Sequence, residues 1–541
     1  WESDDGSRVL TFRILYEYLS WGKELDYHIE RCGKEINSNT AEIMCFYGVG
    51  NHGGGLTKEN IESIKRNAKE RKDYKVIFST PNRYFESVAK NQSKYPVVHG
   101  ELLHHAAGCY SAHSMIKKLN RTAENRLIAA EMFSTVADIY SNQKYPDNFD
   151  RAWKNILFNQ FHDILAGTSI ETAYEDAMYS QGEAIHIADS NLNYAVQSIS
   201  WKIGIKQEED MKPIVVFNPH GSPVRANIEV EIYGDKETSY TLVDSNDNII
   251  KNQIINSKTA ANGRCRLCFV ADLPALGYRT FRLYKKPCKL ENKITATDTR
   301  MENGRFILEF DRETGYISKY YDKENRVDIL NGKGAVPIVI EDKNDTWGHD
   351  ITRFDKQIGV FKAESIKLIE YGPVKATIQV ISTYGSSKLV QKFSMYADLD
   401  KIDVDVKILW NDMQKMLKLA FPVNTMFNKY CFETAFGYVE RGNTGEEYPA
   451  LEWFDATGDE QDTLIAISTS GNSRNVVNAV ITAKAKGIRT IGLTGPKESM
   501  LSKLCDETIM VPGETTDEIQ ELHLPVYHTI CEMLEAEFFD D

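Results

Sequence analysis

NQFHDILAGTSIE, residues 159–171, lies between two helical patterns and carries a histidine–aspartate pair at the break. Upstream, the apolar residues of DRAWKNILFNQF recur at helical spacing and predict a helix that runs into this pair. Gly167 is a helix stop signal, and Thr168 to Glu171 has the capping-box pattern that opens a second helix. We therefore expect His162 and Asp163 in the last turn of the first helix, beside exposed carbonyl groups.

The pair allows two interpretations. A histidine at the end of a helix can simply complement the helix dipole. Alternatively, His162 is a metal ligand, and Asp163 orients it or contacts a substrate. The rest of the chain has to decide between them.

Bulk properties restrict the class of protein. A chain of 541 residues exceeds the size of one hydrophobic core, so several domains are expected. The net charge of −14, without a basic stripe, argues against nucleic acid or a membrane surface as the main partner. No apolar run is long enough to span a bilayer. Nine scattered cysteines indicate free thiols of a cytoplasmic protein, and the Cys265/Cys268 pair lies on a predicted strand that points the two side chains to opposite faces.

Periodicity divides the chain into four regions. Residues 1–97 alternate short apolar segments, AEIMCFYGVG and YKVIFST, with helical runs, which predicts α/β structure. Residues 98–206 are almost wholly helical, and residues 207–456 switch to a period of two, which predicts a large antiparallel β-sandwich. Residues 457–541 read strand, helix, strand, as in a doubly wound sheet.

Six motifs together resemble glycoside hydrolase family 38, the zinc-dependent retaining α-mannosidases. They are WESDDGSRVLTFRI, YGVGNHGGGLT, HGELLHHAAGCYSAHSMIKKLNRTAENRLIAAE, NQFHDILAGTSI, VFNPHGSPV and GPVKATIQV followed by YADLDKIDVDVKILW. The resemblance covers residues 1 to about 456. It implies that residues 1–97 are the C-terminal remnant of an α/β, (β/α)7-type catalytic domain, followed by a three-helix-bundle-like middle domain and a β-sandwich. His162 matches the family's zinc ligand and Asp163 its substrate-contacting neighbour, so the metal-ligand interpretation becomes the favoured one.

The resemblance implies hydrolysis of terminal α-mannosides with Zn²⁺ as cofactor and two carboxyl groups about 5–5.5 Å apart. The resemblance also implies that the nucleophilic aspartate and the other zinc ligands, a His-x-Asp and a further aspartate, lie upstream of anything resembling Trp1. The one matching histidine, His162, cannot make a four-coordinate site. The family's Gly-rich loop often carries an aspartate where this chain has Asn51, beside His52, so the two residues are active-site-loop candidates and the acid/base residue stays unassigned. We expect His162 to lie at a cleft facing residues 1–95, and the chain as given to be inactive.

A second resemblance covers the C-terminal region. ISTSGNSRNVVNAVITAKAKGIRTIGLTG and DEIQELHLPVYHTICEMLE are similar to the SIS domain of phosphoheptose isomerases. Ser468, Thr469, Ser470 and Ser473 match phosphate-binding hydroxyls, which suits a helix N-terminus, where an anion is favoured. The alternative is a hydroxyl-rich helix cap without a ligand.

Gln520 and His528 match zinc-site residues of the isomerases, and His528 also matches the proton-transfer base. Eight helical residues rise about 12 Å, so the two side chains would have to converge on the metal from opposite sides. Core packing of the histidine, together with His523, is the competing interpretation. We expect only a partial SIS module, because no counterpart of the family's first half precedes residue 457.

Two origins fit such a chain: a natural fusion, or a mis-joined reading frame, which we favour. α-Mannoside hydrolysis is the predicted function; a phosphosugar-binding or isomerising module and a non-catalytic carbohydrate-binding protein are the alternatives. The predicted partners are an α-mannoside oligosaccharide and a sugar phosphate, and assembly into a homo-oligomer stays open. A loose linker at residues 458–462 and few contacts between the sandwich and the last module are expected.

Overall fold

The computed structural model describes most of the chain, namely residues 1–3, 5–37, 40–50, 54–100, 103–234, 237–259, 262–349, 351–424, 429–435, 437–442, 444–457, 463–485 and 489–538. The chain divides into two compact units, residues 1–102 and residues 103–541. Each unit is described by itself.

Three helices build the first unit: α1 (Glu24–Lys34), α2 (Lys58–Glu70) and α3 (Pro81–Val88). Leu25, Ile29 and Ile64 form the buried seam between α1 and α2. The strands predicted in residues 41–50 and 74–80 are absent from the described part of this unit. Side chains of both segments pack on the α1/α2 seam, while their backbones form no ladder. Cys45, Tyr47, Tyr74 and Val76 are partly buried there, whereas Ile77 and Phe78 are exposed, so these apolar runs indicated partial packing on the helices and not strand pairing.

The second unit begins with a helical bundle, as the sequence predicts for this part of the chain. Its helices are α4 (Ser114–Ser141), α5 (Phe149–Asn159), α6 (His162–Leu165) and α7 (Glu171–Ser200). Alanines line the contact between α4 and α7 and are fully buried or nearly so, namely Ala123, Ala130, Ala184 and Ala188. Such small side chains allow the two long helices to approach closely, and Leu127, Ile156 and Ile187 fill the space between them and α5.

A long β region follows the bundle. Its strands are β1 (Met211–Phe217), β2 (Val224–Tyr233), β3 (Thr241–Val243), β4 (Ile249–Ile250), β5 (Asn252–Asn256), β6 (Arg264–Leu273), β7 (Tyr278–Tyr284), β8 (Thr295–Thr297), β9 (Arg300–Glu302), β10 (Phe306–Phe310), β11 (Ile317–Asp322), β12 (Val327–Asp328), β13 (Val336–Glu341), β14 (Gln357–Val360), β15 (Lys362–Tyr371), β16 (Lys375–Tyr384), β17 (Ser387–Tyr396), β18 (Ile402–Leu409), β19 (Lys415–Ala420), β20 (Lys429–Thr434), β21 (Gly437–Arg441) and β22 (Phe454–Thr457).

These strands form six sheets, in the orders β1-β7-β3-β4, β2-β6-β5, β12-β11-β10-β9-β8, β14-β13-β19, β15-β16-β17-β18 and β21-β20-β22. All their described pairings are antiparallel, as predicted. The sheet that contains β10 packs face to face on the sheet that contains β16 and β17, where the rings of Phe310 and Phe393 meet edge to face at 4.9 Å. On β6, Cys265 and Cys268 enter different apolar clusters, so the prediction that they point to opposite faces is confirmed.

The last region consists of β23 (Thr463–Ile467), α8 (Arg474–Ala485), β24 (Arg489–Thr494), α9 (Met500–Leu504), β25 (Glu507–Met510) and α10 (Thr516–Phe538). The strands pair in parallel in the order β23-β24-β25, which confirms the predicted pairing. Ala466, Val477, Val480 and Leu501 form its buried cluster, and the partly buried residues packed on that cluster also belong to this region. The predicted linker at residues 458–462 lies outside the described residues.

Candidate functional site

The histidine–aspartate pair starts a separate helical turn. Helix α5 ends at Asn159, and Phe161 has an extended backbone (φ −49°, ψ 135°) that interrupts the helix before α6 begins at His162. The expectation that the pair lies in the last turn of the first helix is therefore wrong. His162 is the first residue of a four-residue turn, in which the first and last turns coincide, so the helix-dipole interpretation stays open.

Thr168 supports this turn in a way that the sequence pattern did not suggest. Helix α7 begins at Glu171, its cap residue is Ile170, and no side chain caps it. The capping box predicted for Thr168 is therefore wrong, because Thr168 lies two residues before the cap position. Its hydroxyl instead donates to the Asp163 carboxylate at 3.1 Å.

Two further side chains hold the turn from neighbouring helices. From α4, the Lys117 ammonium donates to the carbonyl oxygens of Ala112 at 2.5 Å and Leu165 at 2.8 Å. Burial lowers the pKa of Lys117 to about 8. From α7, the Tyr174 hydroxyl donates to the Asp163 carbonyl at 3.3 Å. Sequence analysis missed both residues, because their contacts join positions far apart in the chain.

Gly167 lets the turn pack closely against the segment before α4. Its φ is +84°, and a Cβ atom there would lie 2.7 Å from the Ala112 carbonyl oxygen. A side chain at this position would thus be strained twice, by the left-handed backbone and by the contact. Gly167 was predicted as a helix stop, and the close contact with Ala112 also requires a glycine at this position.

The two polar side chains of the turn point outward. The His162 side chain is 72% exposed, and its Nε2 lies 3.4 Å from Asp163 Oδ2. Asn51 and His52, the loop candidates of the first unit, lie outside the described residues. The cleft expected between them and His162 therefore stays a prediction.

The donor set at this turn does not fit the zinc ion that the family resemblance implies. Structural and catalytic zinc sites use three or four protein ligands. Within 4 Å of the His162 ring nitrogens, the described residues supply one carboxylate, that of Asp163. Across the described ranges, no group of three or more histidine, cysteine, aspartate or glutamate side chains could hold a metal ion.

The second candidate site is the loop between β23 and α8. Ser468 is buried, and its Oγ lies 2.9 Å from Oγ of Ser473, so the two hydroxyls close the base of the loop. Gly471 turns the chain with φ +63°, and a Cβ atom there would collide with the Ser499 side chain. The exposed Ser470 lies at the tip of the loop, where its Oγ accepts from the Asn472 amide at 3.2 Å.

Backbone bonds fasten this loop to the turn after β24. The Gly495 amide donates to the Thr469 carbonyl at 3.1 Å, and the Met500 amide donates to Oδ1 of Asn472 at 2.9 Å. The hydroxyls of Ser468, Thr469, Ser470 and Ser473 thus precede the first turn of α8, whose unpaired amides favour an anion.

Helix α10 carries the remaining predicted residues. Gln520 and His528 are both exposed. His523 between them is only 2% exposed, and neither of its ring nitrogens has a partner among the described residues. Core packing was the competing interpretation for His528. Because His528 is exposed and His523 is buried, core packing describes His523 instead.

Family comparisons agree with the order of these regions. The glycosyl hydrolases family 38 N-terminal domain matches residues 1–106, and the α-mannosidase middle domain matches residues 104–199. The glycosyl hydrolases family 38 C-terminal domain matches residues 301–474, and the SIS domain matches residues 442–535. The last two matches overlap over residues 442–474, a range that includes β22, β23 and the loop that follows β23.

Individual relatives divide in the same way. The chain is 24% identical to α-mannosidase G of Dictyostelium discoideum over 505 residues, which are 84% of this chain and 44% of that protein. It is 43% identical to the phosphoheptose isomerase of Fusobacterium nucleatum over 97 residues, which are 18% of this chain and 50% of that enzyme. The chain thus spans half or less of each of these two relatives. A phosphoheptose isomerase of Aneurinibacillus thermoaerophilus is 42% identical over 177 residues, or 84% of its length.

A solved structure shows the same fold. The crystal structure of an α-mannosidase from Enterococcus faecalis V583 superposes with a TM-score of 0.59 and 18% sequence identity, covering 74% of this chain and 53% of that one. The chain therefore carries the N-terminal, middle and C-terminal domains of glycoside hydrolase family 38, and a SIS domain after them.

Proposed function

We propose that the chain recognises terminal α-mannosides at the turn that carries His162 and Asp163, and that α-mannoside hydrolysis is the reaction of the enzyme type to which this part belongs. The observation that supports this most is the way Lys117, Thr168 and Tyr174 fix the turn while the His162 side chain stays exposed. An imidazole beside a carboxylate can donate and accept hydrogen bonds with neighbouring sugar hydroxyls.

Residues 1–541 are proposed to bind α-mannosides without cleaving them. Retaining hydrolysis needs two carboxyl groups about 5–5.5 Å apart, one as nucleophile and one as acid/base. The described surroundings of His162 supply one carboxylate within 4 Å, and they do not fit a zinc ion.

Titration with methyl α-mannoside and turnover of an aryl α-mannoside test this proposal. His162→Ala should weaken binding, whereas His186→Ala, an exposed histidine on the same bundle, should leave it unchanged. Equal binding by both variants would reject the turn as the sugar site. Aryl mannoside turnover that disappears in His162→Ala would contradict the proposed lack of catalysis.

A second function, binding of a sugar phosphate, is proposed for the loop of residues 468–473. The supporting observation is that the loop is fastened to the turn after β24 and leaves Ser470 exposed before the first turn of α8. Gln520 and His528 remain proposed zinc and proton-transfer residues, and the described residues form no metal-holding group around them.

Isothermal titration with sedoheptulose 7-phosphate distinguishes a phosphate-binding loop from a helix cap without a ligand. Ser470→Ala should weaken binding, because it removes a hydroxyl donor from the tip of the loop. Thr482→Ala removes a hydroxyl from α8 itself, where Thr482 Oγ1 donates to the Asn478 carbonyl, and it should bind like the wild type. Equal affinities of all three proteins would reject the phosphate assignment.

A further inference from the structure

The sheet formed by β20, β21 and β22 carries one row of side chains that neither candidate site uses. Glu433 of β20 pairs with Tyr438 of β21. On the other side of β20, the Glu433 amide donates to the Trp453 carbonyl at 3.1 Å, which extends the β20–β22 pairing by one residue. Side chains opposite one another in a ladder share a face, so Tyr438, Glu433 and Trp453 form one row.

Ring positions agree with this register. The rings of Tyr438 and Trp453 approach to 6.4 Å, although a whole strand lies between their backbones. On the neighbouring row, Phe432 and Phe454 stack with centroids 6.3 Å apart. Since adjacent residues on a strand point to opposite faces, the Phe432/Phe454 pair belongs to the other side of the sheet.

The first row combines exposed aromatic rings with a carboxylate. Tyr438 is 53% exposed and Trp453 is 44% exposed. One oxygen of Glu433 accepts from the Glu452 amide, and the described residues provide no partner for the other. Flat aromatic faces that flank a hydrogen-bond acceptor suit a ligand with an apolar ring face and hydroxyl groups at its edge, as a pyranose has.

The carboxylates of this face favour neutral sugars over phosphorylated ones. The next row on the same face pairs Cys431 with Glu440 and with Asp455, so two more carboxylates follow the first. Carboxylates accept hydrogen bonds from neutral hydroxyl groups, whereas they repel a phosphate group. The face therefore fits a neutral sugar and does not fit the sugar phosphate proposed for the loop after β23.

Contacts between side chains connect this row to the His162 turn. The Gln160 amide, two residues before His162, donates to Glu124 at 2.6 Å. Arg121 pairs with Glu124 at 3.1 Å and with Glu452 at 2.5 Å, and Glu452 directly precedes Trp453. The bundle and the aromatic row are thus joined by one continuous chain of polar contacts.

We propose that Tyr438, Glu433 and Trp453 form a binding surface for a neutral sugar unit farther along an α-mannoside oligosaccharide. This inference rests on the proposed recognition of the terminal mannose at His162. Aromatic rings at the surface hold the ring face of that sugar unit, and the Glu433 carboxylate accepts from one of its hydroxyls.

Titration of residues 1–541 with a linear α-linked mannotriose and with methyl α-mannoside tests the surface. Trp453→Ala should lower the affinity for the trisaccharide about tenfold, on the order of 1.4 kcal/mol, and leave that for methyl α-mannoside unchanged. Glu433→Gln should lower only the trisaccharide affinity, because it removes the negative charge that strengthens the hydrogen bond from the sugar hydroxyl. The glutamine side-chain oxygen still accepts from the Glu452 backbone amide, so the local structure is kept. Phe454→Leu, on the opposite face, is the matched control and should bind both ligands normally.

The outcomes separate this inference from the proposed function. If His162→Ala changes neither affinity while Trp453→Ala lowers that of the trisaccharide, the surface stands and the mannose site at His162 fails. Equal trisaccharide binding by Trp453→Ala and wild type overturns the surface. An undetectable trisaccharide affinity in the wild type, or a Trp453→Ala change confined to the association state in sedimentation velocity, overturns it too.

Discussion

Lys375 at the start of β16 is the clearest place to test how the β region is held together. Its ammonium lies 2.7 Å from Glu229 of β2 and 2.9 Å from Glu370 of β15, and its side chain is only 8% exposed. The contact with Glu229 joins two different sheets, β2-β6-β5 and β15-β16-β17-β18. One ammonium therefore serves two carboxylates in a place that water hardly reaches.

Replacing this lysine with methionine keeps most of the length of the side chain and removes its charge. Both glutamates then lose a buried partner, although Glu229 keeps its ion pair with Arg266. Breaking a buried pair from one side costs about 3–5 kcal/mol, because the remaining charge stays desolvated. For a β region of this size, that corresponds to a fall in melting temperature on the order of 10 °C.

Differential scanning calorimetry on residues 1–541 measures this fall in melting temperature. Hydrogen exchange at β16 and β2 identifies which unfolding transition belongs to the β region. Lys251→Met is the matched control, since Lys251 pairs with Asp398 at 2.9 Å but both side chains are about one-third exposed. An exposed pair contributes about 0–1 kcal/mol, so the control should barely shift the transition. A Lys375→Met protein whose transition lies within 2 °C of the control would refute the reasoning.

The same variant has an expected pH dependence. Burial opposes the charge of Glu229, but its contacts with Lys375 and Arg266 outweigh burial and lower its pKa below the ordinary value of 4.5. A carboxyl group with a lowered pKa stabilises the fold above that ordinary value, and the stabilisation is lost as the pH falls through the folded pKa. Lys375→Met has lost part of this contribution, so the gap between the two proteins should narrow in acid.

Three more predictions follow from close contacts in the second unit. Burial lowers the pKa of Lys117 to about 8, so the free energy of unfolding should rise from about pH 8 to pH 10.5. Lys117→Met should abolish this rise in melting curves measured across that pH range. A rise of the same size in the variant would contradict the assignment to Lys117. Gly167→Ala should destabilise the bundle by about 1–3 kcal/mol in thermal unfolding, because the φ of Gly167 is +84°. Gly182→Ala within α7 is the control: its Cβ would meet no atom within 4 Å, so the substitution should be neutral or stabilising. Gly471→Ala should weaken binding of sedoheptulose 7-phosphate, because its Cβ would displace Ser499 and distort the loop; unchanged affinity would show that the loop geometry does not matter.

Periodicity predicted secondary structure well where one pattern dominated. The parallel pairing of β23, β24 and β25 and the antiparallel pairing of the β region followed from short apolar runs and from a period of two. It failed in residues 41–50 and 74–80, because an apolar segment can pack partly against helices without pairing in a sheet. A run of apolar residues reports burial and leaves the hydrogen-bond partner of the backbone open.

The candidate site was predictable in its residues and not in its geometry. The motif around His162 and Asp163 singled them out, but the stop signal at Gly167 lies six residues beyond the break at Phe161, and the cap signal at Thr168 lies two residues before the cap at Ile170. The contacts that fix the turn come from Lys117 and Tyr174, and a sequence pattern does not show which distant carbonyl oxygens they bind. The row of Tyr438, Glu433 and Trp453 likewise depends on strand register.

The two cysteines on opposite faces of β6 give the protein an internal reporter of its own opening. Both are fully buried, and burial raises the pKa of Cys268 to about 12, so hardly any thiolate exists at neutral pH in the closed sheet. When β6 separates from β2, the pKa should return to about 8.5 and the thiolate population should rise by roughly three orders of magnitude. The rate at which a small alkylating reagent modifies Cys268 therefore measures how often this sheet opens, without an engineered label.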